Sequence, residues 1–548
     1  MPDAGPNEVS DSEIFLDQKR LTREAQVGFW PERTIADYLD DALASRPMSE
    51  YLIAYRTGVG EPDSFSFAEL SSRATRIAAN LRRLGVGHGD VVSFQIPNWW
   101  QFIAVHLACV RIGAVSNPLM PIYREREIEF MVTRSGSKVL IVPRRFRRFD
   151  HAGLAARVRR RVPTLEHVVV IGSAGEDSFD AQLLGAAEPK VGDEDGLKPN
   201  DIMKCMFTSG TTGEPKGVMH TSNTVLSTMQ PVTGRLSLTS DDVIFMPSPF
   251  AHSIGFCYGI MMSLYLGAQL VTMDIWDAEK AADIMERHGV TFMFGATPFL
   301  ADLARLPEIG QRDLQPFRTF LTAGAPVPPT LVDQAVAALD ASIVPGFGMT
   351  ELGLVASVQP SAPDRGYERD GVAFPFAELR IVGAQQRELP PGKEGELQCR
   401  GSSTFVGYRR RPELYEIDEH GWFSTGDRAW MDGDGYIRIV GRSKDIIIRG
   451  GENIPVVEVE NLIHEMPEVD DVAIVGMPDP RLGERSCVFV TLRGKSTLTL
   501  DRLTGFLSSK NLARQYMPEK LIIIDRLPMT PAGKIQKFKL RELAGRVN

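Results

Sequence analysis

Lys204-Cys205-Met206-Phe207-Thr208-Ser209-Gly210-Thr211-Thr212-Gly213-Glu214-Pro215-Lys216-Gly217 reads as a short strand running directly into a glycine- and hydroxyl-rich loop. The glycines let backbone N–H groups converge on an anion, and Thr208, Ser209, Thr211 and Thr212 add hydroxyl donors. Lys216 supplies a point charge for a polyphosphate. The loop departs from the P-loop pattern G-x-x-x-x-G-K-[ST], because it contains no Gly-Lys-[Ser/Thr]. A glycine-rich surface turn is the simpler reading of such a stretch. Its length and the placing of Pro215 and Lys216 favour an anion cradle.

On either side of this loop, short β-branched runs alternate with helix-like segments. Val91–Phe94, Val139–Val142, Val168–Ile171, Leu270–Thr272 and Val290–Met293 have strand character, and Phe102–Val110 is an apolar helical segment. Such alternation predicts an α/β fold built on mostly parallel sheets with helices on both faces. After about Gly346 the texture changes. Glu378–Val382, Gly395–Cys399 and Tyr436–Val440 alternate polar and apolar residues between Gly- and Pro-rich turns, which predicts a smaller antiparallel β section. From Asp445 a last unit of about 100 residues mixes helices with strands and has the size of a separate domain. Its predicted helices are Val457–His464 and Asp501–Ser509, and its strands Val472–Val475, Cys487–Leu492 and Leu521–Ile524.

The chain has 548 residues and a formal charge of −9, from 61 Lys plus Arg against 70 Asp plus Glu. A mildly acidic balance gives no support for nucleic-acid binding. Five scattered cysteines without a C-x-x-C pair argue against a disulfide framework or a zinc site and fit a reducing cytosol. Met1–Ser12 is polar and acidic, with no secretory signal. Ile254–Met273 runs uncharged for long enough to span a bilayer. Its glycines, Ser263, Gln269 and β-like end fit a buried helix followed by a buried strand instead, so no integral membrane segment is expected. Gly85–Asp90 breaks the dinucleotide spacing and precedes a strand, so it is a connecting turn. Arg144, Arg145, Arg147, Arg148, Arg157, Arg159, Arg160 and Arg161 form a basic cluster, most simply a solvated face. Weak peripheral contact with a lipid surface, or with coenzyme A phosphates, is its alternative use.

The loop resembles the signature of the adenylate-forming superfamily, which includes acyl-CoA synthetases, peptide adenylation domains and luciferases. The resemblance extends in order from roughly Phe29 to Lys537. It implies a large N-terminal domain, residues 1–443, made of two α/β subdomains plus the small antiparallel section. A small mobile α+β C-terminal domain, residues 444–548, would follow. Gly346-Phe347-Gly348-Met349-Thr350-Glu351 matches the second core motif, which puts Thr350 near the α-phosphate and Glu351 on Mg²⁺. That suits an ion that prefers one or two carboxylates plus phosphate oxygens. Asp427 of Ser424-Thr425-Gly426-Asp427 would accept both ribose hydroxyls with its two oxygens. Arg442 would contact ribose or phosphate, and Lys444 sits at the hinge position. Gly450 and Gly451 match the loop lining the pantetheine tunnel. Ala323-Gly324-Ala325-Pro326 matches the adenine-side turn, opposite Phe347.

Lys534, in Pro528–Lys537, matches the catalytic lysine, whose ammonium would offset charge building up between carboxylate and α-phosphate. His252 falls at the gate beside the acyl pocket, which Phe256, Thr297 and Met349 would line together with the rest of Gly295–Phe299. Ser248–Ile254 lacks the Asp with which peptide-type domains bind an α-amino group, which disfavours an α-amino acid. The implied activity is ATP-dependent ligation of a carboxylic acid to coenzyme A through an acyl-AMP, with Mg²⁺. The overall texture is closest to bacterial ligases for short- to medium-chain fatty acids or cyclohexanecarboxylate. Two other readings stand beside it. One is an adenylating enzyme that loads a carrier protein, although no carrier domain follows Lys534. The other is a non-catalytic nucleotide-binding protein, which would have no use for Lys534.

Overall fold

The computed structural model describes residues 13–185, 196–208, 215–324, 327–360, 369–442, 447–449, 452–479, 483–510, 512, 514–530 and 534–546. Among these residues three sheets carry the architecture. The first runs, in spatial order, Gly407–Tyr408, Lys216–Thr221, Ile202–Thr208, Val115–Pro118, Val91–Phe94, Ser137–Pro143 and His167–Ile171. Its last five strands pair in parallel, as expected for fully buried β-branched runs.

The second sheet has a parallel centre of Glu50–Tyr55, Gln269–Met273, Val243–Phe245, Phe292–Gly295, Thr319–Thr322 and Ser342–Met349. Strand Ser342–Met349 pairs in parallel on one side and antiparallel with Gly353–Ser357 beyond Gly346. The antiparallel section expected after Gly346 is therefore continuous with the parallel sheet. This junction needs small residues: a Cβ on Gly348 would lie 2.3 Å from the Gly353 carbonyl oxygen.

The helices follow local signals. Phe67–Arg83 starts at a capping box in which Ser66 and Glu69 satisfy each other's backbone N–H, and buries Leu70, Ala74, Ile77, Ala78 and Leu81. Helix Trp100–Arg111 is buried from Trp100 to Val110, which is why its sequence is apolar on every face. It belongs to the largest core cluster, which joins residues of both sheets. In Ile254–Met273 the expected helix and strand are both present. Its first turns, Ile254–Met261, are π-helical before the Met262–Leu266 helix and the Gln269–Met273 strand. The strand expected at Val290–Met293 begins two residues later, because Thr291 binds Asp242 and Val243 at the turn. No helix among the described residues is long and apolar enough to cross a membrane.

The third sheet lies in the C-terminal part, in the order Glu452–Ile454, Ile447–Arg449, Gly483–Leu492 and Val469–Asp479, with Lys520–Ile523 joining Gly483–Leu492 in parallel. Helices Val456–His464 and Leu500–Ser509 cover it, and it has its own core of Val459, Ile463, Val472, Val488, Val490 and Leu503. Arg157 and Arg161 of the basic cluster are taken up by Glu125 and Glu129 of the neighbouring helix Glu125–Ser135. All five cysteines are buried and free.

Candidate active site

The opening loop closes a hairpin. Strands Ile202–Thr208 and Lys216–Thr221 pair antiparallel, with Thr208 directly opposite Lys216. Ser209, Gly210, Thr211 and Thr212 lie outside the described residues. At the base of the loop, a Cβ on Gly217 would meet Cys205 Sγ at 2.9 Å and Arg409 Cβ at 3.2 Å. Only glycine fits there without displacing a neighbour. The Gly217 carbonyl accepts the Arg409 N–H at 2.8 Å. The Arg409 side chain is fully buried, donating to the Ser135 carbonyl and pairing with Glu13 at 3.1 Å.

Strand Gly407–Tyr408 pairs with Lys216–Thr221, which brings Tyr408 to the loop base. The Lys216 ammonium stands 4.9 Å from the Tyr408 ring centroid, and the Tyr408 hydroxyl donates to Glu351 Oε1 at 3.0 Å. Glu351 is 7% exposed. Burial raises its pKa, against the pull of the Tyr408 hydrogen bond and of the Arg442 and Lys216 charges. Among the described residues no group of three or more His, Cys, Asp or Glu gathers to hold a metal ion by itself. A single buried carboxylate beside a lysine instead fits Mg²⁺ held mainly by a nucleotide's phosphates.

Thr350 and Glu351 form the turn after strand Ser342–Met349. His220 Nε2 lies 2.7 Å from the Thr350 carbonyl oxygen and donates to it, while its Nδ1 contacts the Thr224 hydroxyl at 3.0 Å. Burial holds the His220 pKa well below the usual imidazole value, so the ring is neutral and its proton is assigned to the carbonyl side. Phe347 and Met349 are half-buried against the main core.

Asp427 and Arg442 are paired across strands Phe423–Met431 and Tyr436–Arg442. Arg442 Nε meets Asp427 Oδ1 at 2.9 Å, and the buried Oδ2 has no donor among the described residues. Burial raises the Asp427 pKa, opposed first by Arg442 and then by Lys534. A buried carboxylate oxygen without a donor is what a ribose hydroxyl would satisfy.

Lys534 caps a tight turn. Its N–H donates to the Thr530 hydroxyl at 3.0 Å, and its carbonyl accepts the Thr530 N–H at 2.6 Å. Its charge acts on Asp427 and also on His252. Burial, then Lys534 and Lys204, push the His252 pKa down to about 4. The nearby lysines fare differently: Lys537 pairs with Glu460 at 2.7 Å, and Lys539 lies over Phe538.

Of the expected acyl-side residues, Phe256 packs against Phe102 and His106. Thr297 starts the Thr297–Ala304 helix, and Phe299 on that helix stacks against Trp276, in a second core cluster. Gly324 is exposed at the end of strand Thr319–Thr322. Ala325, Pro326, Lys444, Gly450 and Gly451 lie outside the described residues. Sequence reading passed over His220, Tyr408 and Arg409. Strand pairing brings Tyr408 and Arg409 to the loop base, and His220, on the strand leaving the loop, reaches Thr350 only in the folded chain.

Residues 39–409 match the model of the AMP-binding enzyme family, and residues 458–534 match that of the AMP-binding enzyme C-terminal domain. The medium-chain fatty-acid–CoA ligase of Escherichia coli K12 is 34% identical over 535 residues, spanning 96% of this chain and 94% of that protein. A putative acyl-CoA synthetase of Bacillus subtilis is 32% identical, with 89% and 94% covered. The crystal structure of ATP-bound MatB from Rhodopseudomonas palustris superposes with a TM-score of 0.83 at 27% identity, covering 93% of this chain and 99% of that one. With the family model spanning most of its length, the chain belongs to the AMP-binding enzyme family.

Proposed function

We propose that this enzyme joins a short- or medium-chain fatty acid, or a cyclic acid of similar size, to coenzyme A in two steps, in the cytoplasm. The observation that carries the reading is the buried Asp427 carboxylate, held by Arg442 at 2.9 Å on one oxygen and without a donor among the described residues on the other. The Lys534 charge, which acts on both Asp427 and His252, supports a cation working between nucleotide and acid. The relatives named as acyl-CoA ligases support the acid and the thiol.

A carboxylate is a poor electrophile, because its charge repels nucleophiles and its leaving group would be oxide. In the first step a carboxylate oxygen attacks the α-phosphorus of ATP, the bond to the β-phosphate oxygen breaks, and pyrophosphate leaves. Lys534 bridges the two anions and offsets charge that grows in the transition state. Asp427 and Arg442 orient the ribose. The Gly324-Ala325-Pro326 turn and Phe347 hold the adenine, with Gly346 and Gly348 keeping that strand slim. The Thr208–Lys216 loop cradles the β- and γ-phosphates. Glu351 would hold Mg²⁺, which would supply neutralisation of phosphate charge, and Thr350 would lie at the α-phosphate. In the second step the coenzyme A thiol loses its proton and attacks the acyl carbon, and AMP leaves with its bonding electrons. The thiol arrives by a tunnel lined by Gly450 and Gly451 once the unit from residue 444 swings about Lys444. Splitting one hard substitution into two easier ones is the logic of covalent catalysis, and domain movement completes each site in turn.

The test separates the two steps. Lys534→Ala lowers acid-dependent ATP–pyrophosphate exchange at least ~100-fold, a loss typical for a transition-state charge partner. Thioester formation from supplied acyl-AMP stays near wild type. Equal loss in both assays removes Lys534 from this role. Exchange without thioester, in the presence of coenzyme A, would favour carrier loading instead.

A further inference from the structure

Strand Ile202–Thr208 carries a lysine in its middle. Lys204 is 1% exposed, placed between the buried Met203 and Cys205. Its ammonium lies 3.2 Å from Cys257 Sγ and 5.0 Å from the Phe256 ring centroid. Among the described residues no carboxylate pairs with it. A cation taken out of water without a counter-charge costs several kcal/mol, and lysine is almost never fully buried unless paired.

A second unsatisfied group faces the same aromatic ring. His106 is fully buried, with its ring centroid 4.7 Å from that of Phe256. Its Nδ1 contacts the Ser116 hydroxyl at 2.9 Å, and its Nε2 has no partner among the described residues. Burial and the Lys204 charge hold the ring neutral, with a pKa near 3. Two fully buried polar groups therefore flank one phenyl ring: an ammonium with a thiol in reach and no counter-charge, and an imidazole whose Nε2 has no partner among the described residues. Phe256 and Cys257 sit on the π-helical turn Ile254–Met261, four and five residues beyond His252. Such π-turns are rare and frequent at functional sites.

We propose that Lys204 and His106 form the far end of the acyl site and recognise a second oxygen function on the acid. The preferred substrate is then a fatty or cyclic acid carrying a carboxylate, oxo or hydroxyl group away from the reacting carboxyl. Its oxygen accepts from the Lys204 ammonium and meets His106 Nε2, with the carbon skeleton lying on Phe256. A purely hydrocarbon acid leaves the lysine uncompensated, and a site built around a polar partner rejects analogues that lack it. This inference rests on the ligase reading above.

The experiment measures thioester formation by the full chain with matched acids. One series is octanoate, 8-hydroxyoctanoate, 7-oxooctanoate and octanedioate. The other is cyclohexanecarboxylate, its 4-oxo derivative and the 1,4-dicarboxylate. The expected result is a kcat/KM at least ~10-fold higher for one oxygenated member than for its parent. Lys204→Met erases that preference while keeping the parent acid within about threefold, and His106→Gln weakens it in the same direction. The wild-type panel stands by itself if a variant fails to fold, and identifies which oxygen function is read. Preference for the hydrocarbon acid in both series overturns the inference, as does equal loss on both acids in Lys204→Met. In either case the ligase reading stands. If no acid supports exchange or thioester formation, the ligase reading falls and takes this inference with it.

Discussion

Tyr408 shows how much one hydroxyl can govern at the residue scale. Glu351 is buried and leans on that hydroxyl for its one direct side-chain donor among the described residues. Tyr408→Phe leaves a buried carboxylate under-satisfied, a cost of about 1–3 kcal/mol. The expected outcome is an exchange rate about tenfold lower with a raised Mg²⁺ requirement, read from a metal titration. An unchanged titration would separate Tyr408 from the metal site. His106 supplies a pH signature. Its folded pKa of about 3 lies below the unfolded imidazole value of about 6.5, so the unfolded chain takes up the proton first. Its contribution to stability is intact above about pH 6.5 and drains away as pH falls toward 3. His106→Gln should flatten the stability–pH slope between pH 5.5 and 4 by about 1.4 kcal/mol per pH unit, measured by denaturant unfolding. Parallel slopes in the two proteins would count against a neutral buried ring.

At the scale of elements, the hairpin of Ile202–Thr208 and Lys216–Thr221 is held at its loop end by Gly217 and the buried Arg409. Gly217→Ala drives a methyl into Cys205 and Arg409 and should destabilise by about 1–3 kcal/mol, the usual cost of overpacking. It should also raise the KM for ATP, because the displaced Arg409 shifts Tyr408 against Lys216. A variant with full stability and normal KM would show that the loop base has room. The elements themselves were legible wherever burial matches periodicity, as in Val91–Phe94 or Trp100–Arg111. Boundaries slipped where side-chain hydrogen bonds decide them, as Thr291 does ahead of Phe292. The π-helical wind at Ile254–Met261 was not legible, since an all-apolar run carries no period.

Across the whole molecule, Arg305 of the Thr297–Ala304 helix's end meets Asp470 of the C-terminal part at 2.8 Å, with both side chains well exposed. Such a pair is worth about 0–1 kcal/mol, enough to bias a domain that moves between two positions. Asp470→Arg should slow exchange by up to about fivefold while leaving thioester formation from acyl-AMP unaffected. High salt should narrow the gap between variant and wild type. Equal effects on both half-reactions would show that the contact does not favour one arrangement.

Composition, alternation and ordered motifs determined the α/β class, the late antiparallel texture, the small C-terminal unit and the candidates Lys216, Glu351, Asp427, Arg442 and Lys534. These are local properties: periodicity reports burial, and glycine spacing reports where backbone must approach an anion. Tertiary structure alone decided the rest. It merged the antiparallel strands into the larger sheet, delivered Tyr408 and His220 to Glu351 and Thr350, and paired Asp427 with Arg442. It also set Lys204, with no carboxylate beside it, and His106, with its Nε2 unpartnered, around Phe256 among the described residues. Such facts depend on which strands become neighbours over hundreds of residues, and no local pattern encodes a pairing partner.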